Sequence, residues 1–86
     1  MDWQEVDYFP HKSGSQTALQ KTFLFKDFNT ALDFVNKVAV VAHDLNHHPD
    51  INLSWGRVIV STTSHDEHKL TQRDYNFAKK INQIKS

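Results

Sequence analysis

From Phe28 to Leu45 apolar residues recur at a three–four spacing: Phe28, Ala31, Leu32, Val35, Val38, Ala39, Ala42 and Leu45. This period lays them along one stripe of a long helix, and such a stripe must be covered to be stable in water. Phe34, Val40 and Val41 widen it. So wide a stripe fits either of two settings: a helix packed deeply on a sheet, or one that also meets another subunit. Asp27 stands where an N-cap is needed. Pro49 stops the helix, because the residue before a proline avoids helical geometry.

The segments around this helix alternate with period two, the pattern of half-buried strands. Trp3–Tyr8 reads as a short strand. In Thr17–Phe25, Leu19, Lys21, Phe23 and Phe25 share one parity, and the aromatic and β-branched content supports a strand. Between these two lies a loop at Pro10–Gln16 with proline, serine and glycine. After Pro49, Ile51, Leu53 and Trp55 alternate with polar residues. Gly56-Arg57 makes a tight connection, and Val58–Thr63 forms a further strand. Ser64–Lys69 is a polar loop. A last helix opens near Thr71, where Thr71 and Asp74 have capping-box spacing; Phe77, Ala78, Ile81 and Ile84 form its buried face. The order strand, strand, helix, strand, strand, helix predicts an α+β fold: a four-stranded antiparallel sheet with the helices packed on one face.

At 86 residues the chain forms a single domain, 1–86, with a thin core. Its 10 basic and 10 acidic residues cancel. A balanced charge argues against direct nucleic-acid binding, which needs a basic stripe, and against an electrostatic membrane anchor. The absence of cysteine excludes disulfides, thiolate zinc sites and cysteine nucleophiles. No apolar run is long enough to span a membrane, and the polar, acidic first ten residues lack a signal-peptide core. The expected location is the cytoplasm.

Six histidines in so small a chain are unusual. Histidine changes charge near neutrality, so a cluster points to acid–base or metal chemistry. His43, His47, His48 and Pro49 fall at the end of the long helix. If the helix persists that far, His43 and His47 share one face. His65 lies in Thr63-Ser64-His65-Asp66 at the end of the fourth strand, and antiparallel pairing could carry it back towards His47 and His48 across a shallow pocket. Each residue also has a plainer reading. A lone histidine at a helix end is usually a cap or surface residue, Asp74 a helix-start residue, and Trp55 a core residue. His11 and His68 read as surface residues. Trp3 packs on the sheet or frays at the terminus. A metal reading would take His43, His47 and His65 as ligands. Against it, His43 and His47 without an accompanying glutamate match no zinc-hydrolase pattern.

These residues resemble the signature of the pterin-4a-carbinolamine dehydratase family, also known as the dimerisation cofactor of a hepatocyte homeodomain factor. In that signature a polar or charged residue precedes His-His-Pro, and an aromatic residue, a histidine and an aspartate follow at set spacings. Here these are His43, His47-His48-Pro49, Trp55, His65 and Asp74. Phe25-Lys26-Asp27-Phe28-Asn29, Thr71-Gln72-Arg73-Asp74 and Asp2-Trp3 are also similar to family phrases, so the resemblance covers nearly the whole chain.

The resemblance implies dehydration of 4a-hydroxytetrahydrobiopterin, released by aromatic amino-acid hydroxylases, to quinonoid dihydropterin and water. Histidine acid–base catalysis would suffice, with no metal or other cofactor. It implies a pterin pocket with Asn46, His47 and His48 on one side and Thr63, Ser64, His65 and Asp66 on the other. His47 and His65 would transfer protons and His48 would mainly bind. His43, Trp55 and Asp74 would support the site, Asp74 by capping the helix or orienting a histidine. Homodimers or homotetramers are implied as well. The alternative is a protein-binding, coactivator-like module on the same fold, which would extend the location to the nucleus. Family members often have Glu at His43, Asp at Asn46 and a further helix ahead of the first strand, whereas Trp3 here stands almost at the start.

Overall fold

The computed structural model describes residues 2–8 and 16–84. The elements are β1 (Gln4–Tyr8), β2 (Gln16–Leu24), α1 (Phe28–Asp44), β3 (Asp50–Ser54), β4 (Arg57–Thr62) and α2 (Gln72–Asn82). The strands form one sheet in the order β1-β2-β4-β3, with every neighbouring pair antiparallel. This is the expected α+β arrangement. The 10–15 part of the expected loop, with His11, lies outside the described residues, and Gln16 already belongs to β2.

Register decides which side chains meet the helices. Leu19 lies opposite Thr62, Phe23 opposite Val58, Ile51 opposite Val60 and Leu53 opposite Val58. Alternation along each strand therefore puts Leu19, Phe23, Val58 and Val60 on one face. Ala31, Phe34, Val38 and Ala42 of α1 and Phe77, Ala78 and Ile81 of α2 complete the core. Phe34 is its aromatic centre, with ring centroids 4.6 Å from Phe23 and 5.1 Å from Phe25. Trp3 does not fray. It is buried, packs edge-on to Phe23, and its Nε1–H donates to Asn82 Oδ1 at 3.0 Å.

The sheet covers only part of the α1 stripe. Ala31, Phe34, Val38 and Ala42 are buried, whereas Phe28, Leu32, Val40 and Leu45 remain exposed, Val40 by 61%. Asp27 caps the helix by accepting the Thr30 N–H at 2.8 Å, and this bond with the Thr30 hydroxyl bond lowers its carboxyl below the usual range.

The β3–β4 turn needs glycine at Gly56. A Cβ there would stand 2.7 Å from the Phe25 carbonyl oxygen, while Phe25 N–H donates to Gly56 O at 2.8 Å.

The far end of α1 departs from expectation. The helix stops at Asp44, and Asn46 takes a left-handed conformation with φ 49°. Asn46 N–H donates to His43 O at 3.1 Å and His47 N–H to Ala42 O at 2.9 Å. This pair of bonds is a Schellman cap, with Asn46 as its left-handed residue. His43 and His47 therefore do not share a helix face. The reversal at Asn46 leaves His43 exposed on the last turn and turns His47 into the protein.

Candidate functional site

Three elements converge below this reversal: the chain leaving α1, the end of β4 and the start of α2. β4 alternates, so Thr62 falls on the same face as Val58 and Val60, and Ser64 follows two residues on. Both hydroxyls thus face the layer occupied by the first turn of α2. Asp74 sits in that turn and is fully buried.

Four donors surround the Asp74 carboxylate. His47 Nε2 and the Thr62 hydroxyl each lie 2.7 Å from Oδ1. The Ser64 hydroxyl donates to Oδ2 at 2.7 Å, and Thr71 N–H donates to the same oxygen at 3.0 Å. Burial pushes the Asp74 carboxyl up. The hydrogen bonds from Thr62, Thr71, Ser64 and His47 outweigh burial and hold it below its ordinary value. Asp74 therefore both anchors the start of α2 and orients a histidine.

An ionised carboxylate only accepts, so the 2.7 Å contact requires a proton on Nε2. The basic nitrogen left to His47 is Nδ1. The ring is 8% exposed and is steadied edge-on by Phe77 at 6.0 Å. It reaches a small cavity of about 110 Å³ lined by Leu45, His47, Arg73 and Asn76. That is below the roughly 300 Å³ typical of small-molecule pockets.

The other expected residues are distributed around this pair. Ser64 joins Asp74 directly. His65 and Asp66 begin the exposed turn that follows, closed by the Ser64–Lys69 bridge, with His68 in a left-handed conformation at φ 56°. Arg73 of α2 holds this turn through Asp66 at 2.7 Å and Glu67 at 3.8 Å. The Arg73 bond keeps the Asp66 carboxyl low. His48 is exposed beside His47. Asn46 caps α1 and adjoins His47.

Three expectations need correction. Thr63 has the opposite parity to Thr62, and its hydroxyl donates to Thr17 O at 2.8 Å, so it is turned towards β2. Trp55 is 72% exposed at the β3–β4 turn, neither core nor near the histidines. β3 begins next to Pro49 and runs five residues away from it, which is roughly 16 Å at about 3.3 Å per residue. His43 is exposed on the last turn of α1 and His47 is buried beyond the cap, so the two do not share the helix face expected for them. Among the described residues no group of three His, Cys, Asp or Glu side chains could hold a metal ion, so His43, His47 and His65 do not form the ligand set considered from sequence.

Sequence reasoning missed Thr62 and Arg73. The signal for Thr62 was a polar residue at the inward parity of an otherwise apolar strand. For Arg73 there was only its place in the first turn of α2.

Asn46 can be tested separately from the pocket. Glycine accepts its left-handed backbone, so Asn46→Gly should leave stability within about 0.5 kcal/mol of the parent, whereas Asn46→Ala should cost about 1 kcal/mol. Urea unfolding of the two variants checks this.

Fold and site together define a small α+β protein in which a fully buried aspartate holds one histidine in a fixed tautomer. The chain belongs to the pterin 4 alpha carbinolamine dehydratase family, whose model matches residues 1–84. It is 46% identical over 66 residues to a protein of Sulfurisphaera tokodaii provisionally called pterin-4-alpha-carbinolamine dehydratase, covering 77% of this chain and 71% of the relative. A protein of the same provisional designation from Picosynechococcus is 40% identical over 80 residues, covering 93% and 87%. Among solved structures, the transcriptional coactivator/pterin dehydratase of Brucella melitensis superposes with a TM-score of 0.77 at 36% identity, covering 94% of this chain and 79% of that one. A pterin dehydratase-like RuBisCO assembly factor of the alpha-carboxysome shares the fold at TM-score 0.73 and 20% identity, over 95% and 87% of the two chains.

Proposed function

We propose that this chain dehydrates pterin-4a-carbinolamines, 4a-hydroxytetrahydrobiopterin among them, in tetrahydropterin recycling. In the reaction the C4a–OH bond breaks as the hydroxyl is protonated and leaves as water. The N5 proton is removed and its electron pair forms the N5=C4a bond of quinonoid dihydropterin. One acid and one base complete this balance, and positioned groups of that kind contribute about 10²–10⁴-fold. His47 Nδ1 and His65 exchange the protons. His48 mainly binds the ring, and Asn46, Ser64 and Asp66 border the pocket. Trp55 has no part in this reading, because it stands at the far end of β3.

The observation that carries the proposal is the buried pair of His47 and Asp74. A module that only binds protein has no need of a fully buried carboxylate to fix one histidine tautomer. The exposed apolar residues of α1, Phe28, Leu32, Val40 and Leu45, support a homo-oligomer. No described helix is long and apolar enough to cross a membrane, and we place the enzyme in the cytoplasm.

The test is the decay of freshly generated 4a-hydroxytetrahydropterin, followed by ultraviolet absorbance. The protein should accelerate the decay at micromolar concentration or below. A folded chain that leaves the spontaneous rate unchanged overturns the dehydratase reading in favour of the protein-binding alternative.

A further inference from the structure

We propose that Thr62 is a positioning residue of this site: its buried hydroxyl holds the Asp74 oxygen that receives the His47 Nε2–H and limits how tightly the carboxylate retains a proton on the imidazole. The kinetic part of this inference rests on the dehydratase reading. The spectroscopic part does not.

Thr62 is fully buried, on the same strand face as Val58 and Val60, where an aliphatic side chain would suit the core better. Its hydroxyl lies 2.7 Å from Asp74 Oδ1 and 3.0 Å from His47 Nε2. Those two atoms are themselves 2.7 Å apart. Three polar atoms thus form a closed triangle. Nε2–H and the threonine hydroxyl both donate to one oxygen, so the negative charge of Oδ1 is shared between two donors. Fixed hydrogen bonds to a carboxylate stabilise its charged form and make it a weaker partner for the next proton. Ser64 and Thr71 do the same at Oδ2, further from the ring.

The triangle touches the His47 ring directly, and the charged and titratable groups lie on the elements around it. From α2 these are Asp74 itself and Arg73, whose guanidinium is turned to Asp66 and Glu67 of the 65–68 turn. That turn also carries His65 and His68. On the segment that bears His47, the side chains of His43, Asp44 and His48 are exposed. Asp50, at the start of β3, is engaged by the Tyr8 hydroxyl. β4 contributes the Thr62 hydroxyl, and its charged residue, Arg57, stands at the opposite end of the strand.

Thr62→Val removes the hydroxyl at nearly constant volume, and Thr62→Ser keeps it. Nitrogen-15 NMR of the imidazoles across pH gives the direct reading. In the wild-type chain the neutral His47 ring should carry its proton on Nε2. In Thr62→Val the ring should stay protonated to higher pH than in the wild-type chain, and Thr62→Ser should lie close to wild type. The limb of the pH–rate profile that reports His47 should move the same way in Thr62→Val, with kcat changing more than KM.

An unchanged titration in a folded valine variant overturns the proposal, as does an equal shift in the serine variant. If the valine variant does not fold, Thr62→Ala makes the same comparison. An Nδ1–H tautomer in the wild-type chain overturns the proposal without any variant. The NMR shift in a chain that lacks dehydratase activity leaves the role of Thr62 standing and removes the proposed reaction alone.

Discussion

Asp74→Ala should destabilise the fold by about 3–5 kcal/mol, the range expected when one partner of a buried hydrogen-bonded pair is removed. Four donors converge on this carboxylate: His47 Nε2–H, the Thr62 and Ser64 hydroxyls and Thr71 N–H. All four are left facing a void when it is deleted. Unpaired buried donors each cost about 1–3 kcal/mol, and the hydroxyls recover part of this by rotating. Total stability for a domain of this kind is about 5–15 kcal/mol, so the loss is a large share of it. Asp66→Ala is the matched control. Its carboxylate also accepts a 2.7 Å bond, from Arg73, but on the surface, where removal should change stability by no more than about 1 kcal/mol. Urea denaturation compares the two. A cost for Asp74→Ala no greater than for Asp66→Ala would mean that the network is solvated and contributes little.

The same carboxylate contributes to the pH dependence of stability in acid. Its protonation is depressed in the folded state. Its contribution is therefore complete above the unfolded aspartate value, about 4, and is lost as pH falls through the lower folded value. The stability gap between wild type and Asp74→Asn should thus narrow as pH falls below about 4. A gap that stays unchanged or grows over that range would contradict the depressed carboxyl.

Most of the fold was legible because its signals are local. The three–four stripe from Phe28, the cap at Asp27 and the alternation of Val58–Thr63 each reflect backbone geometry acting within a few residues. The limits of legibility lie where one residue changes the chain's direction. Asn46 directly follows the last residue of the stripe, where asparagine favours a left-handed cap, but running the helix on to Pro49 overlooks its φ of 49°. Yet this angle ends α1 at Asp44, separates His43 from His47 and buries the latter. Parity was equally decisive at the end of β4. Thr62 and Thr63 are chemically identical, and only register against Leu19 turns the first towards Asp74. Asp74 was visible as a capping residue, but its bond to a histidine 27 positions earlier depends on packing of α2 against β4 that no local pattern encodes. Trp55 shows the opposite error, since correct spacing in a signature says nothing about which end of a strand a residue occupies.

His47→Ala should lower the dehydration rate by about 10²–10⁴-fold, the typical contribution of a positioned acid–base group. The loss should fall on kcat, because the role proposed for the ring is proton transfer in the transition state and the ring, only 8% exposed, offers little surface for binding. His65→Ala should show a loss of the same order, with His48→Ala raising KM more than it lowers kcat. If His47 and His65 work as a unit, the double variant should be little slower than the worse single variant, since either deletion already breaks the proton exchange. Trp55→Ala, at the other end of β3, should remain within about twofold of wild type, the range of a surface change far from the site. Folding does not confound the His47 variant. Its removal leaves the Asp74 carboxylate with three donors and opens a space that already borders the cavity at Arg73 and Asn76, so water can replace Nε2–H. A His47→Ala chain that retains full activity would separate the buried pair from catalysis and leave it a purely structural device. A loss confined to His48→Ala would move the proton chemistry to the exposed member of the pair, where no carboxylate sets the tautomer.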